Sequence, residues 1–335
     1  MRAGTDELLL SVLLPAKLGF SSVLPALSAW DASAGAVPME VLILCPDGLG
    51  PTPRETAALG SRHRVLMTGA RDLNGMRVFG IEQARGTYVV LAEDHCIPDL
   101  GFAEAVAERL EEGWDAVGPA LRPGDTSTAW SQGSFLIGYG EWMLPARSGA
   151  TDVLCGWNGT VRRSLLCGLG AELEGLLRVG VFAVRRLHEH GARFCLESSA
   201  RMRHFDPPCG RTELVLLTLV GLGFGAMRTC NWPWIARLLY PLAMPLCAFM
   251  HWRRALRHYI RAGRAVGLEP SALAASGVLA IAWAAGEAIG AIAGVDRVGP
   301  WLWRTEVKPI SWDTIRISDR ADQITRSAHS ARSSG

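Results

Sequence analysis

Three consecutive ionisable side chains, Glu93, Asp94 and His95, follow the apolar run YVVLA at residues 88–92 of this 335-residue chain. An apolar run of this length is typical of a buried strand. Ionisable groups placed directly after such a strand are costly to bury unless they are used, which favours a functional site. Carboxylates and imidazoles both bind divalent cations. The alternative is structural, since an aspartate is also a good cap for the helix that follows.

The elements around this cluster alternate between strand and helix signals. Short links between alternating strands and helices indicate an α/β fold with a mostly parallel sheet and helices on both faces. Ligands of such sheets bind beyond the carboxyl ends of the strands, so Asp47, after the second strand, is expected across one cleft from Glu93. Asp47 could equally be a turn residue beside Pro46 and Gly48. The predicted strands are residues 8–15, 39–45, 64–67, 88–92 and 116–121, and the predicted helices are residues 21–30, 76–84 and 103–112.

Charge and cysteine usage exclude several classes of protein. The net charge of +2 lacks the basic excess typical of nucleic-acid-binding proteins, so no nucleic-acid partner is expected. The eight cysteines form no CxxC pair, which argues against a zinc site and indicates reduced thiols facing a cytoplasmic compartment. The apolar run at residues 8–14 is too short for a cleaved signal peptide, and a strand that ends at Pro15 fits it better.

The last third of the chain is more apolar and predicts membrane attachment. Residues 272–295 have the length needed to cross a bilayer, although Glu287 interrupts them. Residues 232–252 contain Pro241 and Pro245 and favour a broken or in-plane segment. The alternative is a buried helix of a soluble protein. The supporting residues are five arginines suited to an anionic cytoplasmic leaflet (Arg253, Arg254, Arg257, Arg261 and Arg264) and five tryptophans suited to the membrane interface (Trp232, Trp234, Trp252, Trp301 and Trp303).

Five segments, in this order and spacing, resemble a known family. They are SVLLPA at residues 11–16, Asp47, GIEQARGTYVVLAEDHCIPD at 80–99, GWNGTVRRSLL at 156–166, and the segment that ends at His204. Together they resemble family 2 glycosyltransferases of the GT-A fold, especially a bacterial membrane-associated subgroup whose C-terminal membrane segment is similar to AAGEAIGAIAG at 284–294. The resemblance implies a glycosyltransferase domain at residues 1–210 and a membrane-associated helical region at 211–300. The polar composition of residues 301–335 predicts a disordered tail.

The resemblance also assigns roles to individual residues. A divalent cation, Mn²⁺ or Mg²⁺, would stabilise a departing diphosphate, and the histidine favours Mn²⁺. Plainer interpretations remain for several positions: Arg77 as a solvated helix residue, Asn158 as a turn residue and His204 as a structural histidine. The implied assignments are Glu93, Asp94 and His95 for the metal, Pro15, Asp47, Arg77 and Asp94 for the nucleotide sugar, and Trp157 and Asn158 for the sugar or acceptor.

Three departures from the family pattern affect the chemistry. The acidic DxD motif of the family falls on Glu93 and His95, and its Arg-Asn pair appears as Arg77 followed by valine. The acidic pair expected to supply the catalytic base falls on Val179 and Gly180. The nearest upstream carboxylates, Glu172 and Glu174, are therefore the candidates for the base, although solvated helix residues are the plainer interpretation of both.

The predicted function is transfer of a hexosyl unit from a nucleotide-diphosphate sugar to a lipid-linked or membrane-proximal glycan acceptor. Such a reaction would contribute to a cell-envelope polysaccharide, with the catalytic domain on the cytoplasmic face of the inner membrane. Loss of the acidic pair leaves a second hypothesis, a catalytically degenerate membrane-bound binding or scaffold subunit. A nucleotidyltransferase is disfavoured because no glycine-rich, lysine-containing phosphate loop follows the first strand.

Overall fold

The computed structural model describes residues 8–69 and 71–302 as a mixed α/β structure. Its strands are β1 Leu10–Pro15, β2 Met39–Cys45, β3 His63–Met67, β4 Tyr88–Leu91, β5 Cys96–Pro98, β6 Ala116–Pro123, β7 Gly149–Ala150, β8 Thr160–Arg162 and β9 Phe194–His204. Its helices are α1 Leu24–Ser33, α2 Pro53–Ala57, α3 Leu73–Gln83, α4 Phe102–Glu111, α5 Ala129–Gly138, α6 Arg163–Gly168, α7 Glu172–Leu176, α8 Val181–Glu189, α9 Gly210–Arg228, α10 Trp234–Leu239, α11 Met244–Ala262, α12 Ser271–Ala293 and α13 Val295–Leu302.

The nine described strands form one sheet in the order β3-β2-β1-β4-β8-β6-β9-β5, with β7 paired to β9. Strands β1 to β4, β6 and β9 run in one direction. Strands β5, β7 and β8 run in the opposite direction. The prediction of a mostly parallel sheet with flanking helices and C-terminal apolar helices is confirmed.

Apolar side chains on both faces of the central strands explain why the sheet is covered on both sides. Successive side chains of a strand point to opposite faces. In β1, Leu10, Val12 and Leu14 contribute to one buried core, whereas Leu13 contributes to a second core on the other face. All six residues of β1 are buried, as expected for the centre of a parallel sheet.

The four strands that the sequence did not predict are short or polar. Strands β5, β7 and β8 have two or three residues each, too few for a periodic signal. Strand β9 has eleven residues but carries the polar run at 197–199 in its middle. Helix α3 begins three residues before its predicted start, because the Asp72 side chain accepts a hydrogen bond from the amide of Gly75 and caps the helix.

The helices after residue 210 share a core with the sheet. Leu217 of α9, Tyr259 of α11 and Leu279 of α12 belong to the same buried cluster as Leu10 and Val12 of β1. Two described helices, α9 and α12, are long and apolar enough to cross a membrane, a finding that rests on length and composition alone. The predicted boundary near residue 210 stays a prediction. Most of the predicted tail, from residue 303 onward, lies outside the described residues, as does Trp303.

Four glycines set the distance between α9 and α12. A Cβ atom on Gly221 would lie 2.1 Å from the Trp283 carbonyl oxygen, and one on Gly225 would lie 2.1 Å from the Glu287 carbonyl oxygen. A Cβ atom on Gly286 would lie 2.0 Å from the Thr218 carbonyl oxygen, and one on Gly290 would lie 1.9 Å from that of Leu222. Small residues spaced four apart on both helices allow the two backbones to touch.

Replacing Gly286 or Gly290 by alanine should destabilise the protein by about 1–3 kcal/mol, because the new methyl group forces the helices apart. Melting temperatures of the full chain in detergent measure the effect. Gly277→Ala, on the same helix, is the control, since its Cβ atom would make an ordinary 3.4 Å contact with Trp252. This control should be neutral or slightly stabilising, because alanine favours helix. Equal melting temperatures for all three variants would contradict the close packing.

Candidate functional site

The Glu93 carboxylate lies directly beyond the end of β4 and is almost completely buried. Because β8 pairs antiparallel with β4, the chain before β8 runs past this end and brings Asn158 beside Glu93. The Asn158 Nδ2 atom donates to Glu93 Oε2 at 2.6 Å, and its Oδ1 atom accepts from the Glu93 amide at 3.0 Å. The Tyr139 hydroxyl donates to Glu93 Oε2 at 3.1 Å. These bonds fix the position of the carboxylate.

Two imidazoles lie on either side of this carboxylate. His95 precedes β5, and His204 ends β9; the antiparallel register that pairs Cys96 with His204 brings the two rings together, with centroids 4.9 Å apart. The Nε2 atom of His95 lies 3.7 Å from Glu93 Oε1, and that of His204 lies 3.7 Å from Glu93 Oε2. The ligand atoms of Glu93, His95 and His204 all lie within 4.8 Å of one another.

A carboxylate orients each imidazole from behind. Asp94 Oδ1 lies 2.8 Å from His95 Nδ1, and Asp206 Oδ2 lies 2.9 Å from His204 Nδ1. The Ser134 hydroxyl donates to Asp206 Oδ1 at 3.0 Å. A carboxylate can only accept hydrogen bonds, so each neutral imidazole must carry its proton on Nδ1, the atom that faces the carboxylate. The lone pair on Nε2 of each ring then faces Glu93. Metal-binding histidines in proteins are commonly oriented in this way.

The donor atoms of this cluster fit a divalent cation. His204 Nε2 is buried, and no hydrogen-bond partner for it exists among the described residues. Two ligand atoms that each lie about 2.1 Å from one ion, at a tetrahedral angle, are about 3.4 Å apart. The distances from the Glu93 carboxylate oxygens to Nε2 of His95 and to Nε2 of His204 are both 3.7 Å, close to that value. A site with two imidazole nitrogens and one carboxylate as ligands disfavours Mg²⁺, because Mg²⁺ binds oxygen ligands in preference to nitrogen.

The sequence-based metal set differs from this cluster by one residue. Asp94 does not belong to the converging ligand atoms, because its Oδ1 atom faces Nδ1 of His95. His204 joins Glu93 and His95 instead. The family resemblance pointed to His204, but a single histidine 109 positions after His95 carries no sequence signal for a shared site. The pairing of β5 with β9 brings them together.

A cavity of about 470 Å³ opens beside the cluster, between the sheet and the C-terminal helices. Glu93, His95 and Asp206 line its sheet side. Trp157, Val179 and Gly180 line it as well. Further lining residues come from α9, α11 and α12, so the helices after residue 210 form part of the site.

Burial and negative charge raise the pKa of the neighbouring acids. The Tyr139 pKa is well above its usual range, chiefly because the hydroxyl is buried and then because Glu93 is close. The Cys155 pKa is raised by the same two causes in the same order. Tyr139 therefore remains a hydrogen-bond donor to Glu93, and Cys155 remains a neutral thiol.

Two other predicted residues support the site without lining the cavity. Asn158 is completely buried and adopts the left-handed conformation, with φ 62°. Its side chain holds Glu93, as described above. Arg77 is 1% exposed, and its guanidinium lies over the Trp157 ring, 3.7 Å from the centroid. The interpretation of Arg77 as a solvated helix residue is wrong. Trp157 lines the cavity, and its role beside the sugar or acceptor stays a prediction.

The remaining predicted residues lie away from the cavity. Pro15 is buried at the end of β1, and Asp47 is exposed after β2, where its Oδ1 atom accepts a hydrogen bond from the Gly69 amide at 3.2 Å. Both lie at the same edge of the sheet as Glu93, but neither lines the cavity. Glu172 and Glu174 are exposed on α7, and Glu172 pairs with Arg186 at 3.1 Å.

Comparisons with known proteins give little further information. No protein-family model matches this sequence, and no curated protein matches it. Among solved structures, the chain is similar to the crystal structure of GalNAc-T7 with UDP, GalNAc and Mn²⁺, at 11% sequence identity and a TM-score of 0.45. The similarity covers 59% of this chain and 43% of that chain, so less than half of that protein is matched.

Substitutions of Asn158 should separate its backbone and side-chain roles. Asn158→Gly keeps the left-handed backbone but removes both hydrogen bonds to Glu93, and should cost about 1–3 kcal/mol. Asn158→Ala should cost about 1 kcal/mol more, because alanine is strained at positive φ. Chemical denaturation of the full chain measures both values. Equal stability of the alanine and glycine variants would contradict the backbone role, and wild-type stability of the glycine variant would contradict the side-chain role.

Proposed function

We propose that the protein is a GT-A-like glycosyltransferase that uses a nucleotide-diphosphate sugar and a divalent cation. The observation that supports this proposal is the convergence of Glu93, His95 and His204 at the carboxyl edge of a mostly parallel sheet, beside a cavity. Ligands of such sheets bind at this edge. A cation held there would stabilise the negative charge of a departing diphosphate.

The residues of the chain prepare this site before any ligand binds. Asn158 and Tyr139 hold the Glu93 carboxylate, while Asp94 and Asp206 orient the two imidazoles. A preorganised set of ligands does not need to rearrange when charge develops on the leaving group. In this proposal Asp94 acts through His95 and does not itself contact the cation.

The donor would lie along the edge formed by the ends of β1, β2 and β4. Pro15 and Asp47 are the proposed residues for the nucleotide, as the family resemblance implies. Arg77 contacts the Trp157 ring, so its proposed contribution to donor binding would act through the position of Trp157. Trp157 would face the sugar or acceptor from the cavity wall.

The catalytic base remains a prediction from the sequence, with Glu172 or Glu174 in that role. Val179 and Gly180, where the family resemblance expects acidic residues, line the cavity and carry no carboxylate. This observation favours the second candidate function, a catalytically degenerate subunit that binds a nucleotide sugar without turning it over. Binding of a nucleotide sugar with no transfer to any acceptor would support that alternative.

The proposed location is the cytoplasmic face of a membrane, with the acceptor presented at its surface. Support comes from large apolar side chains that are exposed on the C-terminal helices. Trp234 is 69% exposed, Leu242 79% and Phe249 54%. Pro241 and Pro245 lie at the starts of a 3-10 helix and of α11, so this region is broken into α10 of six residues, a 3-10 helix of four residues and α11 of 19 residues. Helices that carry exposed apolar side chains in this way are suited to lying in the membrane plane.

Removing the proposed cation ligands should abolish turnover while the fold persists. Glu93→Gln and His204→Ala should each lower transfer from a nucleotide sugar by at least about 100-fold, because each removes a ligand and Glu93→Gln also removes the charge. Asp206→Asn should lower Mn²⁺ affinity by about 10- to 100-fold through loss of the orienting hydrogen bond. Mn²⁺ titration followed by electron paramagnetic resonance measures affinity independently of activity.

His190→Ala is the control, since His190 is exposed and belongs neither to the cluster nor to the cavity wall, and it should leave Mn²⁺ affinity unchanged. Excess chelator should mimic Glu93→Gln, and added Mn²⁺ should rescue only the parent protein. Full transfer activity in excess chelator would contradict the cation requirement.

Membrane binding should depend on the exposed apolar residues of the C-terminal region. Leu242→Glu combined with Phe249→Glu should weaken co-sedimentation with phosphatidylethanolamine–phosphatidylglycerol vesicles by at least about tenfold, because burial of each side chain contributes about 1.5–3 kcal/mol. Leu100→Glu is a matched control, since Leu100 is 78% exposed but lies in the α/β part. Equal vesicle binding by the double variant and the control would contradict the proposed surface.

A further inference from the structure

The helical side of the cavity carries a group of cations that the proposed donor and cation sites do not use. Arg178 follows α7 in a short 3-10 helix at Leu177–Val179, Arg228 ends α9, and Arg254 lies in α11. All three line the cavity, together with His251 and His258 of α11. The side of the cavity formed by the sheet therefore carries carboxylates and imidazoles. The side formed by the helices, called the arginine side below, carries Arg178, Arg228 and Arg254.

One buried carboxylate holds part of this arginine side in place. Glu287 of α12 is completely buried, and its Oε1 atom lies 2.9 Å from His251 Nε2. Its Oε2 atom accepts from the Tyr240 hydroxyl at 2.5 Å and lies 3.4 Å from Arg228 Nη1. Glu287 is thus a positioning residue that keeps Arg228 and His251 at the cavity wall.

The other two arginines have no such hydrogen-bonded partner among the described residues, although Glu141 and Glu287 attract Arg254 at longer range. Neither Arg178 nor Arg254 makes a side-chain hydrogen bond or an ion pair with any described residue. The carboxylates that line the cavity are Glu93, Asp206 and Glu141. Glu93 and Asp206 belong to the imidazole cluster, and Glu141 lies 3.4 Å from His258 Nε2. Two arginines at the wall of a cavity, with no hydrogen-bonded or ion-paired partner among the described residues, favour an anionic ligand.

His258 adds a neutral group to this wall. Burial, followed by the nearby Arg261, Arg254 and Arg257, lowers its pKa to about 4. At neutral pH its imidazole is uncharged, so the positive charge of the wall comes chiefly from the three arginines. The surrounding arginines therefore create a positive potential that a ligand with more than one negative charge would relieve.

Apolar side chains continue this wall toward the two helices that could cross a membrane. Leu217, Val220 and Phe224 of α9 and Trp283 of α12 line the same cavity. A ligand that fits both parts has an anionic head and an apolar chain. The proposed donor residues Pro15 and Asp47 do not line this cavity, and the proposed cation ligands Glu93 and His95 line its sheet side. We therefore assign the arginine side of the cavity to a second anion.

We propose that the cavity binds an amphiphilic acceptor with a terminal phosphate, a lipid monophosphate. Arg178, Arg228 and Arg254 would hold the phosphate, and the apolar residues of α9 and α12 would hold the start of the lipid chain. The proposal rests on the proposed glycosyltransferase function, for which it names the acceptor class. It also accounts for the carboxylate-free positions Val179 and Gly180 in the cavity wall.

A phosphate acceptor needs no catalytic base. Its second pKa is about 6, so at neutral pH its oxygens are already anionic. One of these oxygens forms a bond to the anomeric carbon of the sugar, and the bond between that carbon and the nucleotide's terminal phosphate oxygen breaks. The nucleotide diphosphate leaves with the electron pair of the broken bond, and no proton is transferred. The products are a lipid-phosphate sugar and a nucleoside diphosphate.

Binding of farnesyl phosphate to the full chain in detergent tests this site. Arg178→Ala and Arg254→Ala should each weaken binding by about tenfold or more, because each removes a charge-assisted hydrogen bond. Both are suitable because no described residue is hydrogen-bonded or ion-paired to either side chain. Arg253→Ala is the matched control, since Arg253 is exposed next to Arg254 but does not line the cavity. Farnesol and inorganic phosphate should both bind much more weakly than farnesyl phosphate.

Three results would overturn the proposal. Farnesyl phosphate could bind Arg254→Ala and Arg178→Ala as tightly as it binds Arg253→Ala. Inorganic phosphate could bind as tightly as farnesyl phosphate, which would make this a site for a free anion. The two substitutions could weaken binding of a nucleoside diphosphate with Mn²⁺ as much as that of farnesyl phosphate, which would assign the arginines to the donor.

Different results would contradict the proposed glycosyltransferase function. If nucleotide sugars fail to bind with Mn²⁺ while arginine-dependent binding of farnesyl phosphate persists, the lipid-phosphate site stands and the glycosyltransferase assignment falls. Transfer of labelled sugar to farnesyl phosphate, with release of nucleoside diphosphate, would support both.

Discussion

A buried carboxylate is stable only when hydrogen bonds or positive charge compensate for its lost hydration, and Glu93 meets this requirement through its neighbours. Asn158 and Tyr139 donate hydrogen bonds to it. The Nε2 atoms of His95 and His204 each lie 3.7 Å from one of its oxygens. Several features of the fold serve this arrangement. The reversed strand β8 brings Asn158 past the end of β4, and the register of β5 with β9 brings the two histidines together.

A second buried carboxylate organises the opposite side of the cavity. Glu287 lies on a helix long and apolar enough to cross a membrane, where an ionisable residue without partners would be unfavourable. Tyr240, His251 and Arg228 are its partners, and they come from three other segments of the C-terminal region. The carboxylate thereby ties these segments together and directs two of its partners toward the cavity.

The two sides of the cavity therefore differ in charge because they belong to different layers of the structure. The sheet edge contributes carboxylates and imidazoles that suit a cation. The helices contribute arginines and apolar side chains that suit an anionic amphiphile. The close packing of α9 on α12 and the shared core with the sheet connect the two sides of the cavity. A transferase that joins a soluble donor to a membrane-bound acceptor requires two such neighbouring sites.

Local patterns in the sequence determined the buried strands, the sheet edge that carries Glu93, and the apolar character of the last third. Such features depend on neighbouring residues, which periodicity records directly. The tertiary structure alone decided that His204 joins the cluster, that Asp94 supports it from behind, and that the helices share a core with the sheet. These outcomes depend on strand register and helix packing between residues far apart in the chain, and a single sequence contains no local signal for either.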